Sequence, residues 1–216
     1  MKPIRLVLSI LCVIALSSMQ LQKPIKVVLF GDSITQAGVR PGGYISLMQQ
    51  AQTKYELIGA GIGGNKVYDL YLRMEDDVLK VKPDVVVIYV GVNDVWHKQT
   101  HQTGTDPDKF IAFYSAMIKN MQSAGIKVIV CTPAVIGEKT DYSNPQDGDL
   151  NSYSQIIRNL AKQYNCSLVD LRKEFLAYNL GNNPGNKESG ILTTDRVHLN
   201  PAGNKLVADL MMKALN

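Results

Sequence analysis

Three polar residues, one near the start of the chain and two near its end, have the types needed for nucleophilic catalysis. Ser33 lies in the stretch GDSIT, directly after a run rich in Val and Leu. Asp195 and His198 lie in DRVH, three residues apart, so their side chains can meet on one side of a turn. A carboxylate that holds one imidazole nitrogen leaves the other free to take a proton from a serine hydroxyl. Taken alone, each motif is ordinary turn sequence, and their joint presence is what favours catalysis.

The elements that must position these residues alternate along the chain. Short runs rich in Val and Ile are separated by helix-like segments, which predicts one α/β domain over residues 24–216 with a parallel sheet covered on both faces. The predicted strands are 25–31, 55–60, 84–91, 126–133 and 166–171, and the predicted helices are 43–53, 66–79, 108–124, 150–164 and 201–215. Two polar segments, 95–107 and 134–149, are predicted to be loops at the carboxyl edge, where such sheets bind ligands.

A glycine pattern near the second strand suggests a different chemistry. Gly59, Gly61 and Gly64 fit G-x-G-x-x-G, the pattern of a dinucleotide-binding turn. That site needs an acidic residue at the end of the next strand, but this strand ends in YVGVN and carries Asp84 at its other end. The pattern also belongs after the first strand of a sheet rather than the second. We therefore predict no nucleotide cofactor.

A histidine pair after the third strand resembles half of a zinc site. His97 and His101 have the i, i+4 spacing of a zinc-binding helix, but Lys98 stands where H-E-x-x-H has its glutamate. The segment also reads as a loop, so no metal is predicted. Just before it, Asn93 in GVND can present its side-chain amide at the edge where a reaction oxyanion would develop.

Composition and the N-terminus limit the setting in which the protein works. The 216 residues carry a net charge of +4 without a basic run, which argues against nucleic acid as the partner. Lys2 and Arg5 precede the apolar run 6–16 and the small residues ALSS, a pattern typical of an export signal over residues 1–18. The run is shorter than the ~20 residues of a spanning helix. We expect an exported protein without stable membrane insertion after cleavage.

Four sequence blocks, in order along nearly the whole mature chain, resemble those of the SGNH hydrolases, also called the GDSL esterase/lipase family. They are GDSIT with Ser33, GIGGN with Gly64, GVND with Asn93, and DRVH with Asp195 and His198. The resemblance implies Ser33 as nucleophile, His198 as general base and then acid, and Asp195 as its orienting carboxylate. It implies an oxyanion hole from the backbone N–H groups of Ser33 and Gly64 and the side chain of Asn93.

The resemblance also implies a fold, a three-layer α/β/α sandwich whose five-stranded parallel sheet has the flavodoxin-like strand order 2-1-3-4-5. The chain departs from the family pattern in two places. Gly59 stands where the second block often has Asn, and Asn65-Lys66 stands where the oxyanion glycine is often followed by Asp-Thr. These departures affect local packing more than the chemistry.

The expected function is that of a secreted serine esterase that works through an acyl-enzyme, on small acyl groups such as acetyl carried by a carbohydrate or another polar alcohol. The polar segments near Trp96 suit hydroxylated ligands, and Asp32, Trp96 and His97 are candidate residues of a substrate loop. The partner is then a small-molecule or glycan ester. Two alternatives stay open: a lysophospholipase or thioesterase acting on lipid acyl groups, and a non-catalytic carbohydrate-binding module on the same fold.

Overall fold

The computed structural model describes residues 23–216, and the predicted export signal over residues 1–18 lies outside them. Five parallel strands form one sheet in the order β2-β1-β3-β4-β5, which confirms the predicted strand order. The strands are β1 (Ile25–Gly31), β2 (Tyr55–Gly61), β3 (Val85–Tyr89), β4 (Lys127–Cys131) and β5 (Ser167–Val169). Runs of Val and Ile form these strands because both faces of the sheet are covered, and all five residues of β3 are buried.

Eight α-helices in the described chain surround this sheet. They are α1 (Ser33–Gly38), α2 (Tyr44–Ala51), α3 (Val67–Met74), α4 (Val92–Thr100), α5 (Pro107–Ser123), α6 (Asp147–Gln163), α7 (Leu171–Asn182) and α8 (Pro201–Leu215). Helix α2 packs on α8, while α3 packs on α5, which in turn contacts α6. This is the predicted three-layer α/β/α arrangement. In residues 23–216 no helix has the length and apolar character needed to cross a membrane.

The structure corrects the predicted helices and loops at three points. The segment 95–107, predicted to be a loop, is helical as far as Thr100 and is a loop only over 101–106. Helix α4 starts at Val92, soon after β3, where Gly91 takes a φ of 130° that turns the chain. The predicted helix 66–79 is α-helical only to Met74 and continues as a π-helical turn, Glu75–Leu79. Helices α1 and α7 were not predicted, because α1 is short and α7 lacks a clear apolar period.

The end of β1 explains how the chain delivers a serine to the edge of the sheet. A Cβ built on Gly31 would lie 2.5 Å from the carbonyl oxygen of Tyr89 in the neighbouring strand, so only glycine fits there. The chain can therefore turn tightly out of the sheet, and Asp32 caps the helix that follows by accepting a hydrogen bond from the N–H of Ile34 at 3.0 Å. Ser33 becomes the first residue of α1.

Candidate active site

Three side chains predicted to work together form one hydrogen-bonded series at the carboxyl edge of the sheet. The Oγ atom of Ser33 lies 3.0 Å from Nε2 of His198. The Nδ1 atom of His198 lies 2.6 Å from Oδ2 of Asp195. Burial raises the pKa of Asp195, but hydrogen bonds from the His198 side chain and from the backbone N–H groups of Val197 and His198 outweigh it and lower the pKa overall. Asp195 is therefore ionised at neutral pH and can hold the imidazole with Nδ1 protonated and Nε2 facing the serine.

The segment that carries Asp195 and His198, residues 190–199, is here called the histidine loop. An antiparallel β-bridge joins Thr193 and Leu199, on either side of Asp195 and His198. Within it, Oδ1 of Asp195 accepts hydrogen bonds from the N–H of Val197 at 3.1 Å and of His198 at 2.8 Å. The aspartate thus shapes the turn with one oxygen and holds the imidazole with the other.

A buried glutamate from another part of the chain fixes the base of the histidine loop. Glu138, in the segment after β4, is 1% exposed. Its Oε1 accepts from the N–H groups of Leu192 at 2.6 Å and Thr193 at 2.9 Å, and its Oε2 accepts from that of Ile191 at 2.9 Å. Charge-assisted bonds to three successive N–H groups are strong. The segment after β4, predicted as a long loop at the binding edge, is therefore an anchor for the histidine loop.

Three further groups could bind an oxyanion: the backbone N–H groups of Gly64 and Ser33 and the side chain of Asn93. Gly64 has a φ of 77°, which suits glycine, and its N–H has no acceptor among the described residues. The N–H of Ser33 is likewise without an acceptor in residues 23–216. The Asn93 side chain is 2% exposed, and its Nδ2 donates one hydrogen bond to the carbonyl oxygen of Asn65 at 3.1 Å. Its second Nδ2 hydrogen is left for another acceptor.

The proposed substrate-loop residues do not lie in a common loop. Asp32 is 1% exposed and lies beneath the site as the cap of α1, so burial keeps it from contacting a ligand. Trp96 and His97 lie on helix α4, both half-buried. The Trp96 ring lies edge-on to His198, with centroids 6.2 Å apart, and a methyl group built on Gly64 would lie 3.9 Å from Cε1 of His97. Trp96 and His97 therefore border the site.

Two buried acids lie under the site. Burial, helped by the charge of Asp94, raises the pKa of Asp32 to about 7, although the hydrogen bond from the N–H of Ile34 acts to lower it. Burial also raises the pKa of Asp94 to about 6, although its carboxylate accepts from the N–H of Val67 at 3.2 Å. Burial, with the charges of Lys66 and His101, lowers the pKa of His97, so that imidazole is neutral near pH 7.

The part of the chain that the structure describes holds no cluster of metal-ligating side chains. Its His, Cys, Asp and Glu side chains include no group of three placed to hold a metal ion. The rings of His97 and His101 lie with centroids 4.3 Å apart and inclined by 51° at the end of α4, with no third ligating side chain from residues 23–216 beside them. The hydrogen-bonded groups described above offer the chemistry of a serine, an imidazole and a carboxylate.

Comparison with known proteins identifies a family and several relatives of the chain. The model of the GDSL-like Lipase/Acylhydrolase family matches residues 29–206. A crystal structure of an acetyl xylan esterase, AlAXEase, is 67% identical, covers 89% of this chain and 100% of that chain, and superposes with a TM-score of 0.88. An acetylxylan esterase of Geobacillus stearothermophilus is 28% identical over 88% of this chain and 93% of its own length. The uncharacterized lipoprotein YqeF of Bacillus subtilis is 27% identical over 84% of this chain and 85% of its own.

The chain belongs to the GDSL-like lipase/acylhydrolase family, the SGNH hydrolases. It is accordingly a carboxylic ester hydrolase. The resemblance drawn from the four sequence blocks is therefore confirmed.

Sequence reasoning did not single out two residues whose side chains bond segments next to the site, Glu138 and Arg73. Glu138 lies in a predicted loop. The signal that could have indicated its burial is the apolar run 134–136, which continues past the end of the strand and ends just before Glu138. Arg73 lies on α3, where a charged residue in an amphipathic pattern is normally solvated. Nothing in its sequence neighbourhood marks it as buried.

Proposed function

We propose that this protein is a secreted acetyl esterase that removes acetyl groups from xylan, with Ser33 as nucleophile. The observation that carries the proposal is the series Ser33–His198–Asp195, with contacts of 3.0 and 2.6 Å, together with the N–H groups of Ser33 and Gly64, which have no acceptor among residues 23–216. The acetyl choice is supported by two relatives, both acetylxylan esterases, that match nearly their full lengths.

The proposed reaction forms and breaks an acetyl-serine ester. The Oγ of Ser33 attacks the acetyl carbon while its proton passes to Nε2 of His198. The carbonyl oxygen becomes an oxyanion that accepts hydrogen bonds from the N–H groups of Ser33 and Gly64 and from Nδ2 of Asn93. The protonated His198 then gives its proton to the sugar oxygen, which leaves as the alcohol.

Water completes the cycle. His198 takes a proton from a water molecule, whose oxygen attacks the acetyl-serine carbonyl at the same oxyanion hole. Collapse of this second tetrahedral intermediate returns the proton to Ser33 and releases acetate. Throughout, Asp195 keeps its charge and stabilises the imidazolium, which agrees with the lowered pKa of its carboxyl.

Export is a part of the proposal that rests on residues 1–18, with Lys2 and Arg5 ahead of the apolar run 6–16. The lipoprotein designation of one relative is in line with it. A fusion of residues 1–18 to a reporter enzyme that is active only outside the cytoplasm should give activity, and replacing Lys2 and Arg5 by Glu should abolish it.

The experiment that tests the activity compares acetylated xylo-oligosaccharides with p-nitrophenyl esters from acetate to decanoate, using residues 19–216 and a Ser33→Ala control. Acetate release from the oligosaccharides and turnover of p-nitrophenyl acetate, both lost in Ser33→Ala, support the proposal. Turnover that rises with acyl length places the substrate among lipids instead. Binding of the oligosaccharides without Ser33-dependent turnover of any ester identifies a carbohydrate-binding module.

A further inference from the structure

One arginine connects the ends of the two strands that precede the candidate oxyanion hole. Arg73 lies on α3 with its side chain only 15% exposed. Its Nη2 donates to the carbonyl oxygen of Gly31 at 2.6 Å, and its Nη1 donates to that of Ala60 at 3.1 Å. Its Nε donates to Oδ1 of Asn65 at 2.8 Å. The guanidinium also lies over the buried ring of Phe30, 4.5 Å from the centroid.

The acceptors of Arg73 adjoin the groups proposed to bind the oxyanion. Gly31 is two residues before the nucleophile Ser33, and Asn65 directly follows Gly64. The carbonyl oxygen of Asn65 also accepts from the side chain of Asn93, at 3.1 Å. Through Gly31 the arginine is connected to the Ser33 segment, and through Asn65 to the segments of Gly64 and Asn93.

The glycine turn between β2 and α3 needs such a support. Residues 61–64 read Gly-Ile-Gly-Gly, a stretch with little conformational preference of its own. The N–H of Ile62 donates to the carbonyl oxygen of Gly31 at 3.2 Å, and that of Gly63 donates to Oε1 of Gln36 at 3.1 Å. The N–H of Asn65 donates back to the carbonyl oxygen of Ile62 at 3.3 Å, near the long limit for such bonds. The rigid, planar guanidinium of Arg73 bonds both strand ends and Asn65, the residue directly after the turn. It therefore fixes the position of the turn better than these bonds alone.

We propose that Arg73 is a positioning residue for ester hydrolysis: it holds the Gly64 N–H and the Asn93 amide at a fixed distance from Ser33 through its bonds to Gly31, Ala60 and Asn65. This inference rests on the proposed function, because it assigns Arg73 to the oxyanion hole of that reaction. Arg73 does not contact substrate. It acts by setting where the donors lie, and a displacement of about 1 Å in such a site can lower the rate about 100-fold.

Single substitutions can remove or weaken the hydrogen bonds of Arg73 separately on its site-facing and solvent-facing sides. Asn65→Ala removes the inward acceptor and leaves the Asn65 backbone carbonyl for Asn93. Asp77→Asn weakens the outward bond, since Asp77 accepts from Nη1 on the solvent side and is 34% exposed. Arg73→Lys keeps the charge but replaces the fork by a single ammonium group, which cannot reach three acceptors in this geometry.

The assay is steady-state hydrolysis of p-nitrophenyl acetate, with active sites counted by a burst titration and thermal unfolding followed in parallel. We expect kcat per titrated site to fall about tenfold or more in Asn65→Ala and Arg73→Lys, with KM within about twofold. Asp77→Asn should stay within about twofold of the unmodified protein. Inhibition by a small boronic acid, whose serine adduct places a negative oxygen in the hole, should weaken by the same factor as kcat falls.

The outcomes separate this inference from the proposed function. Should Asn65→Ala and Arg73→Lys unfold at lower temperature yet keep kcat per titrated site and boronate affinity, the arginine is structural only and the inference is wrong. An equal loss of kcat in Asp77→Asn also overturns it, because general loosening of α3 would then explain the effect. Ester turnover that survives Ser33→Ala contradicts the proposed function itself, irrespective of what Arg73 does.

Discussion

Replacing Glu138 by Gln tests how the histidine loop is held. Glutamine has the same shape but a single acceptor oxygen, which can serve Leu192 and Thr193, while its NH₂ group faces the N–H of Ile191. Losing one charge-assisted hydrogen bond costs about 1.5–3 kcal/mol, and the two that remain lose their charge assistance. We therefore expect the free energy of unfolding to fall by about 3 kcal/mol. At ~2–4 °C per kcal/mol for a domain of this size, Tm should drop by about 6–12 °C.

The same substitution should lower esterase activity more than stability alone explains. The histidine loop carries Asp195 and His198, so a looser base lets Nε2 move from its 3.0 Å contact with Ser33. We expect kcat per folded molecule to fall about tenfold or more. Thermal unfolding and p-nitrophenyl acetate hydrolysis measure both effects. The matched control is Glu188→Gln, which removes an exposed ion pair worth at most about 1 kcal/mol. A Tm for Glu138→Gln within about 2 °C of the control would refute the reasoning.

Three further substitutions test other parts of the site. The pKa of Asp32 is about 7 in the folded protein and ~3.9 in the unfolded chain. Between about pH 4 and pH 7 the folded state therefore holds a proton that the unfolded chain has lost, so the free energy of unfolding falls as pH rises through this range. In Asp32→Asn, the difference in unfolding free energy between pH 5 and pH 8, measured by urea unfolding, should shrink to the part due to Asp94. An unchanged difference would contradict the raised pKa of Asp32. Asn93→Ala should lower kcat ~10²–10³-fold with KM nearly unchanged in the p-nitrophenyl acetate assay; normal kcat would exclude it from the oxyanion hole. Gly64→Ala should fold, with a native circular dichroism spectrum, because the added methyl would lie 3.9 Å from His97. The left-handed φ costs alanine about 1–2 kcal/mol, so the turn should shift and kcat should fall. Full activity would show that the turn tolerates a side chain.

The fold followed from the sequence because its signals are local and repeated. β1 was predicted over the residues it occupies, since a buried parallel strand is a continuous apolar run. Helix α8 was also predicted with its observed bounds, and its N-cap is Asn200, whose Oδ1 accepts from the N–H of Gly203 at 3.0 Å. Helix α4 was missed because its sequence, VNDVWHKQT, is mostly polar: it is nine residues long and buries only its first turn.

The candidate site also has residues that the sequence predicts and residues that it does not. Ser33, Asn93, Asp195 and His198 could be named from their motifs, because each lies at a strand end or just before a helix, where local sequence sets the geometry. The supporting residues could not. Glu138 is 54 residues from Leu192, whose N–H it accepts, and such a pairing depends on the tertiary fold alone.

The contact between Ser33 and His198 joins residues 165 positions apart, and this has a consequence for the order in which the protein becomes active. During synthesis the proposed nucleophile emerges early, together with the strand that later becomes a central strand of the sheet. The proposed base, His198, is added only when α8 is about to be made. A chain interrupted anywhere before residue 198 therefore holds Ser33 without its proposed base. On the proposed mechanism, esterase activity should appear late in biosynthesis, so it should serve as a readout of full-length translation in a stalled-ribosome experiment.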